Sequence, residues 1–307
     1  MRTHVEKVSG GTRMSLQARA IERLFKQFRF QKILNKQMKS PGRSTKNFVP
    51  IKIDKKYEVV RQNVQGREVI TFDQDFSQGN QHLIFFHGGG YIFEISLIHW
   101  KFLDRLADRN ENRTTVINYP LSPESTYRET FEMLLESYEL LAKTYPKDEF
   151  VIMGDSAGGG LALAFIQELV RRDFRPLPNQ VLLLSPFLDM TLSNPDMENT
   201  EPLDVILSRE FLNFCAEVYA GGDDKEQEWL SPINGSFNNL PDTAVFYSTH
   251  EMFYADCLKL KNNVKTANST FHFFEYENMP HDWGILPIPE RDQVIEDIYQ
   301  FFSSRRR

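Results

Sequence analysis

The chain has 307 residues, of which 41% are hydrophobic and 25% charged, and its net charge is −6. This composition suits a globular chain with a sizeable core, and no apolar run reaches the roughly 18 residues that would span a bilayer. The two cysteines, Cys215 and Cys257, lack CxxC spacing, which argues against a zinc site or a disulfide framework. The N-terminus has no apolar centre typical of a signal peptide, so we expect a cytoplasmic protein.

The N-terminal segment is strongly basic. Residues 1–61 hold 16 Lys and Arg against 4 Asp and Glu, which leaves 20 of 36 basic and 38 of 42 acidic residues for the rest. Such a segment could contact nucleic acid or an anionic membrane. We favour packing on the acidic body of the same chain, because "IERLFKQFRFQKIL" (21–34) has an apolar face at helical spacing. We therefore predict no nucleic-acid partner and no stable membrane insertion, and a homodimer is the assembly we consider.

From residue 57 the chain alternates strands and helices. A hairpin is predicted in "YEVVRQNVQGREVITFDQD", with its turn near 63–66. Six further apolar runs of strand length follow: "HLIFFH", "TTVINYP", "EFVIMGDS", "QVLLLSPF", "TAVFYSTHE" and "STFHFFEYE". Helices are predicted between most of them, at about 97–109, 124–144, 157–172, 255–266 and 290–303. This alternation predicts an α/β fold with a mostly parallel central sheet, entered by an antiparallel hairpin and flanked by helices.

One interval is too long for a single crossover. More than fifty residues separate the runs "LLLSPFLD" and "AVFYSTHE", and "LSREFLNFCAEVYAGG" (207–222) within them has helical spacing ending at Gly221. We interpret 189–240 as a cap insertion over the carboxyl edge of the sheet, where open α/β sheets bind ligands. The predicted domains are a basic helical segment (1–50) contributing to this cap, and a core formed by 51–188 and 241–307.

A nucleophile is indicated by Gly154-x-Ser156-x-Gly158, which stands between a predicted strand and an apolar helix. In that context the pattern is typical of a nucleophile elbow, a sharp turn that exposes a serine Oγ above the sheet. A glycine-rich helix N-cap or phosphate turn is the alternative. We favour the nucleophile because the run lacks the Lys-[ST] of a phosphate-binding loop and is no G-x-G-x-x-G.

A serine nucleophile needs a base and an acid that orients the base, and in this fold they follow in the order Ser, Asp/Glu, His. His281 lies in the loop after the last strand and is preferred as the base over His250 and His272. Glu251 follows the preceding strand directly and is preferred as the acid over Asp256, which suits the next helix. Two further acids are interpreted as solvated or structural, namely Asp189 and Asp282.

The glycine run in "LIFFHGGGYIF" (83–93) can supply backbone N–H donors to an oxyanion. The donors we predict are Gly88, Gly89 and Ala157, the last being the residue after the nucleophile. A phosphate loop is the alternative, and it is disfavoured because no Lys, Arg or metal-binding hydroxyl lies nearby in the loop. His87 is interpreted as a residue that shapes the loop.

These motifs resemble the hormone-sensitive-lipase-like family of α/β-hydrolases, the family IV esterases. The resemblance is carried by "HGGGY" (87–91), "GDSAGG" (154–159), "YPLSPE" (119–124), "LSPINGSFNNLP" (230–241) and "NMPHDW" (278–283). It implies the same nucleophile, base and oxyanion donors, and hydrolysis of short- to medium-chain carboxylic esters. Glu251 stands where that family commonly has Asp, and Glu94 stands where a small or glycine-containing turn is usual.

The sequence thus predicts a serine carboxylesterase that acts on a small-molecule ester through an acyl-enzyme and needs no metal or organic cofactor. An amidase or peptidase on the same triad is a second hypothesis, since the acyl chemistry is shared. A binding protein that holds an apolar ligand on the hydrolase fold is the third, and the presence of His281 argues against it.

Overall fold

A computed structural model describes residues 14–43, 49–73 and 80–303. The parts of the basic N-terminal segment at 1–13 and 44–48 lie outside the described residues. Strands and helices are numbered below in chain order.

A single sheet of eight strands forms the centre of the fold. Its spatial order is β1-β2-β4-β3-β5-β6-β7-β8. The strands are β1 (Glu58–Val64), β2 (Arg67–Asp73), β3 (Gln81–Phe86), β4 (Arg113–Ile117), β5 (Glu149–Asp155), β6 (Gln180–Leu184), β7 (Asp242–Ser248) and β8 (Phe271–Tyr276). The pairs β1–β2 and β2–β4 are antiparallel and all others are parallel, which confirms the predicted sheet.

The hairpin turn has the backbone that its sequence predicts. Gln65 and Gly66 have φ of +51° and +80°, and Val64 pairs directly with Arg67. A two-residue turn with both φ values positive matches the right-handed twist of the flanking strands. The central strand β6, by contrast, is buried along its whole length because both faces of the sheet are covered.

Helices cover both faces of the sheet. They are α1 (Leu16–Gln27), α2 (Phe30–Gln37), α3 (Ile51–Lys56), α4 (Leu97–Asn110), α5 (Tyr127–Thr144), α6 (Ala157–Arg171), α7 (Met197–Thr200), α8 (Arg209–Ala220), α9 (Tyr254–Asn263) and α10 (Pro289–Ser303). One core contains α5, α6, α8 and α9, and the other contains α1, α3, α4 and α10. The five helices predicted within the core region agree with these bounds to within about three residues.

The insertion between β6 and β7 carries the helix that the sequence predicts there. Ser208 caps the amino end of α8, and Gly221 ends it with φ of +62°. The insertion contacts the N-terminal helices: Gln31 Nε2 donates to Asp204 O at 2.9 Å, and Asn35 Nδ2 donates to Glu210 Oε2 at 2.8 Å. The two segments proposed to form the cap are therefore in contact.

The N-terminal segment also packs on the body of the chain. Ser15, which caps α1, donates its backbone N–H to Glu290 Oε1 of α10 at 2.6 Å. Arg43 Nη2 lies 2.6 Å from Glu124 Oε2, and Lys56 Nζ lies 2.6 Å from Asp104 Oδ1. Basic residues of this segment thus pair with acidic residues of the body, in line with the favoured interpretation. Among the described helices, none combines the length and apolarity that crossing a membrane requires.

Candidate active site

Ser156 lies on a strained turn between β5 and α6. Its backbone has φ of +51° and ψ of −119°, a combination that non-glycine residues rarely adopt. A Cβ on Gly154 would lie 2.1 Å from Gly158 O, and a Cβ on Gly158 would lie 2.0 Å from Phe86 O. The two glycines of the pattern are therefore required because backbone passes where side chains would stand. The turn has the geometry of a nucleophile elbow.

His281 connects Ser156 to Glu251. His281 Nε2 is 2.9 Å from Ser156 Oγ, and His281 Nδ1 is 2.9 Å from Glu251 Oε2. All three side chains are buried. Glu251 is fixed through its other oxygen, Oε1, which accepts the backbone N–H of Ser248 at 2.8 Å. The structure thus brings the three residues predicted from the sequence into one hydrogen-bonded chain.

The protonation of His281 is governed by its surroundings. Burial lowers the pKa of this imidazole, but the carboxylates of Asp282 and Glu251 outweigh burial. The pKa of His281 is therefore raised well above its ordinary value. A higher pKa makes the ring a stronger base once its proton has left.

The other acids considered from the sequence do not take the place of Glu251 beside His281 Nδ1. Asp256 lies in the first turn of α9, where Asn194 Nδ2 donates to its Oδ1 at 2.8 Å, and burial raises its pKa to about 7. Asp189 accepts hydrogen bonds from Thr191 and has a structural role, as interpreted from the sequence. Asp282 requires a correction, because its Oδ2 lies 3.2 Å from His281 Nε2 within the site. Its side chain is mostly buried and in contact with His281, rather than solvated.

The two histidines considered as alternative bases do not contact Ser156. His250 lines a surface depression together with Arg19 and Glu22 of α1. His272 lies within β8, where its ring meets the ring of Phe301 edge-on at 5.2 Å. Of the three histidines downstream of Ser156, His281 is the one in hydrogen-bond contact with it.

The glycine run follows β3 and lies beside the elbow, but Gly88 has a different partner from the one expected. Its N–H donates to Asp155 Oδ1 at 2.9 Å, so this donor is not available to an oxyanion. The prediction that included Gly88 is corrected accordingly. Gly89 and Gly90 have φ of +114° and +64°, and their amides have no acceptor among the described residues. Ala157 is the first residue of α6, so its N–H has no acceptor within the helix.

A buried network anchors the glycine run to the elbow. The backbone N–H of Ser96 donates to His99 Nδ1 at 3.0 Å, so the proton of this ring is on Nε2, which donates to Asp155 Oδ2 at 3.1 Å. His87 donates from Nδ1 to Gly88 O at 2.7 Å, and burial lowers its pKa to about 4. This placement supports the interpretation that His87 shapes the loop. Sequence reasoning did not identify Asp155 or His99, although Asp155 directly precedes the nucleophile.

No metal centre is evident in the part of the chain that the structure describes, since no three His, Cys, Asp or Glu side chains form a group suited to a cation. Cys215 and Cys257 are both buried, and each has a free thiol.

The sequence matches the α/β hydrolase fold family over residues 83–285, more than half of the chain. The chain therefore belongs to this family. An esterase of Acinetobacter venetianus is 27% identical over 245 residues, which are 78% of this chain and 79% of that protein.

Solved structures agree with this assignment. The crystal structure of a proposed esterase from Staphylococcus aureus has a TM-score of 0.78 and 28% identity, covering 94% of this chain and 93% of that chain. The crystal structure of a hormone-sensitive lipase from a metagenome library has a TM-score of 0.80 and covers 95% of this chain and 99% of that chain. Because the two sequences are only 24% identical, this match is evidence for the fold alone. The predicted α/β-hydrolase fold, the family resemblance and the prediction of a carboxylic ester hydrolase are confirmed by these matches.

The tight elbow gives a prediction with a matched control. A Gly158→Ala change should lower the free energy of unfolding by about 1–3 kcal/mol and turnover by about a hundredfold, because the new methyl group meets the carbonyl of Phe86 and displaces Ser156. Gly42→Ala should leave both unchanged, because no atom lies within 4 Å of the added Cβ. Thermal unfolding and ester hydrolysis measure the two effects, and an elbow that accepts the Gly158→Ala change without loss would contradict this account.

Proposed function

We propose that the chain is a serine carboxylesterase that hydrolyses short- to medium-chain esters through an acyl-enzyme. The observation that carries the proposal is the hydrogen-bonded chain from Ser156 through His281 to Glu251, built on a strained elbow. The same three residues could also hydrolyse amides, but the relative from Acinetobacter venetianus is named an esterase, which favours ester substrates. A cytoplasmic location and a homodimer stay predictions.

The proposed reaction proceeds in two halves. His281 Nε2 takes the proton from Ser156 Oγ as that oxygen bonds to the ester carbonyl carbon, and Glu251 holds the Nδ1–H so that Nε2 faces the serine. The imidazolium then gives the proton to the leaving alkoxide as the ester C–O bond breaks. Water repeats the sequence on the acyl-enzyme and releases the acid, which restores Ser156 Oγ–H.

We propose Gly89, Gly90 and Ala157 as the oxyanion donors, with Gly90 replacing the donor expected at Gly88. The support is that Gly88 N–H is bonded to Asp155 whereas the other amides have no acceptor among the described residues. Backbone donors held in place before the reaction stabilise the developing charge without reorganisation, and each is worth about 3 kcal/mol.

The cap supports a narrow acyl site. A Cβ on Gly90 would lie 2.6 Å from Cys215 Sγ and 2.9 Å from Phe211 Cζ, so α8 lies directly on the glycine run. Phe211 also stacks on Phe93, with ring centroids 6.1 Å apart. We propose that residues 189–240 and the N-terminal helices form the cap, and that its aromatic face limits the length of the acyl chain.

The nucleophile is tested by Ser156→Ala. Turnover of p-nitrophenyl acetate and butyrate should fall by about four orders of magnitude or more, since the base alone cannot form the acyl-enzyme. An organophosphonate should label the unchanged protein at Ser156 and not label the variant. Circular dichroism checks folding, and substantial turnover by a folded variant would rule out the mechanism.

The assignment of the acid is tested by a matched pair of buried carboxyls. Glu251→Gln should lower kcat by about 10²–10⁴-fold, because an amide no longer holds His281 in the required tautomer. Asp256→Asn should lower kcat less than about threefold, since that carboxyl contacts Asn194 rather than His281. The reverse ranking of the two variants would move the acid to Asp256.

The cap proposal is tested with a series of p-nitrophenyl esters. Turnover should be highest from acetate to hexanoate and fall for longer chains. Phe211→Ala should raise the octanoate-to-acetate ratio of kcat/KM by about tenfold, as truncating a buried aromatic ring opens space beside the glycine run. An unchanged ratio would show that Phe211 does not limit the length of the acyl chain.

A further inference from the structure

A second carboxylate contacts the base on the nitrogen that faces the nucleophile. Asp282 has φ of +56°, a left-handed backbone conformation, and its side chain lies against the preceding residue. Its Oδ2 is 3.2 Å from His281 Nε2, while Ser156 Oγ is 2.9 Å from the same nitrogen. Since Nε2 has either one proton or one lone pair, the two oxygens compete for it.

Asp282 is held in an acidic and largely closed environment. Its side chain is 16% exposed, and its Oδ1 is buried without a hydrogen-bond partner among the described residues. The backbone N–H donates to Ser185 Oγ at 3.4 Å. Burial raises the pKa of Asp282 to about 6, against the opposing attraction of His281.

The charged groups around the pair come from several elements. Glu251 after β7 and Asp155 at the end of β5 both disfavour ionisation of Asp282. Asp204 of the insertion interacts with His281, and His99 of α4 interacts with both Asp155 and Asp282. Apart from His99, the groups around the pair are carboxyl side chains. Their negative charge favours a bound proton on the His281–Asp282 pair.

We propose that Asp282 is a positioning residue that shares a proton with His281 Nε2 and so sets the pH above which His281 can act as the base for Ser156. The proposal rests on the esterase function given above. Asp282 acts only through His281 and forms no bond to the substrate.

The shared proton has two placements, and both block the base. In an imidazolium–carboxylate pair, Nε2 already carries the proton. In an imidazole–carboxylic acid pair, the acid O–H occupies the Nε2 lone pair. When that one proton leaves to solvent, the neutral ring can accept the proton of Ser156, and the ionised Asp282 lies beside the imidazolium that then forms.

The test is the pH dependence of kcat/KM for p-nitrophenyl acetate between about pH 5 and 9.5. The unchanged protein should show an acid limb above the ordinary histidine value of about 6.5. Asp282→Asn should move this limb down by about one pH unit or more, since removing a neighbouring negative charge lowers the pKa of an imidazole. Relative to its own plateau, activity at pH 6 should rise about tenfold.

Two further variants sharpen the result. Asp282→Gly also removes the carboxylate and adopts φ of +56° without strain, so it serves if the Asn variant does not fold. Asp256→Asn removes another buried carboxyl, one bonded to Asn194, and should keep the acid limb of the unchanged protein. A purely structural role of Asp282 would change the plateau or the stability but not the position of the limb.

The proposal is overturned if the unchanged protein has its acid limb at or below about pH 6.5, or if both substitutions at 282 leave the limb within about 0.3 units. Proton NMR titration of the His281 Hε1 signal in Ser156→Ala gives a reading that needs no turnover. A limb that does not move while Ser156→Ala is inactive refutes the role of Asp282 alone. Retained turnover in Ser156→Ala refutes the esterase mechanism itself.

Discussion

The site depends on the close approach of two neighbouring parallel strands at their carboxyl ends. Phe86, the last residue of β3, pairs with Gly154 of β5, and the turn after β5 passes so close to β3 that only glycine fits at 158. The same approach lets Asp155 accept the N–H of Gly88 at 2.9 Å. Ser156 and the glycine run are thereby fixed relative to each other by close backbone packing and by the buried side chain of Asp155.

This approach places the buried carboxylate of Asp155 next to Ser156, and histidines pair with the carboxylates of the site. Asp155 is paired with His99, while Glu251 and Asp282 lie on opposite nitrogens of His281. An unpaired charge in such a site costs several kcal/mol, so each proton taken up or lost by one ring alters the cost for the next carboxylate. The protonation of His281 is therefore a property of the cluster, and the surrounding carboxylates favour the charged form of the ring.

The sequence predicted those features that depend on local chemistry. The elbow, the glycine run and the order of Ser156, Glu251 and His281 follow from residue types at fixed offsets in a strand-to-helix pattern, and the structure brings the last three together. The partner of Gly88 was not predictable, because it depends on the pairing of strands more than sixty residues apart. The position of Asp282 depends on one left-handed φ value, which no spacing in the sequence reveals.

The insertion at 189–240 contacts both the loop of Glu251 and the N-terminal segment, and Asp204 takes part in both contacts. Asp204 of the insertion accepts the backbone N–H of Met252 at 3.0 Å, directly after Glu251. Gln31 of α2 donates to the carbonyl of Asp204. Two hydrogen bonds, both involving Asp204, therefore connect α2 to the loop that contains Glu251. Because the side chain of Asp204 is buried, a shift of that loop would break its hydrogen bond to Asp204 without replacement by water, so the insertion helps to hold the loop that contains Glu251.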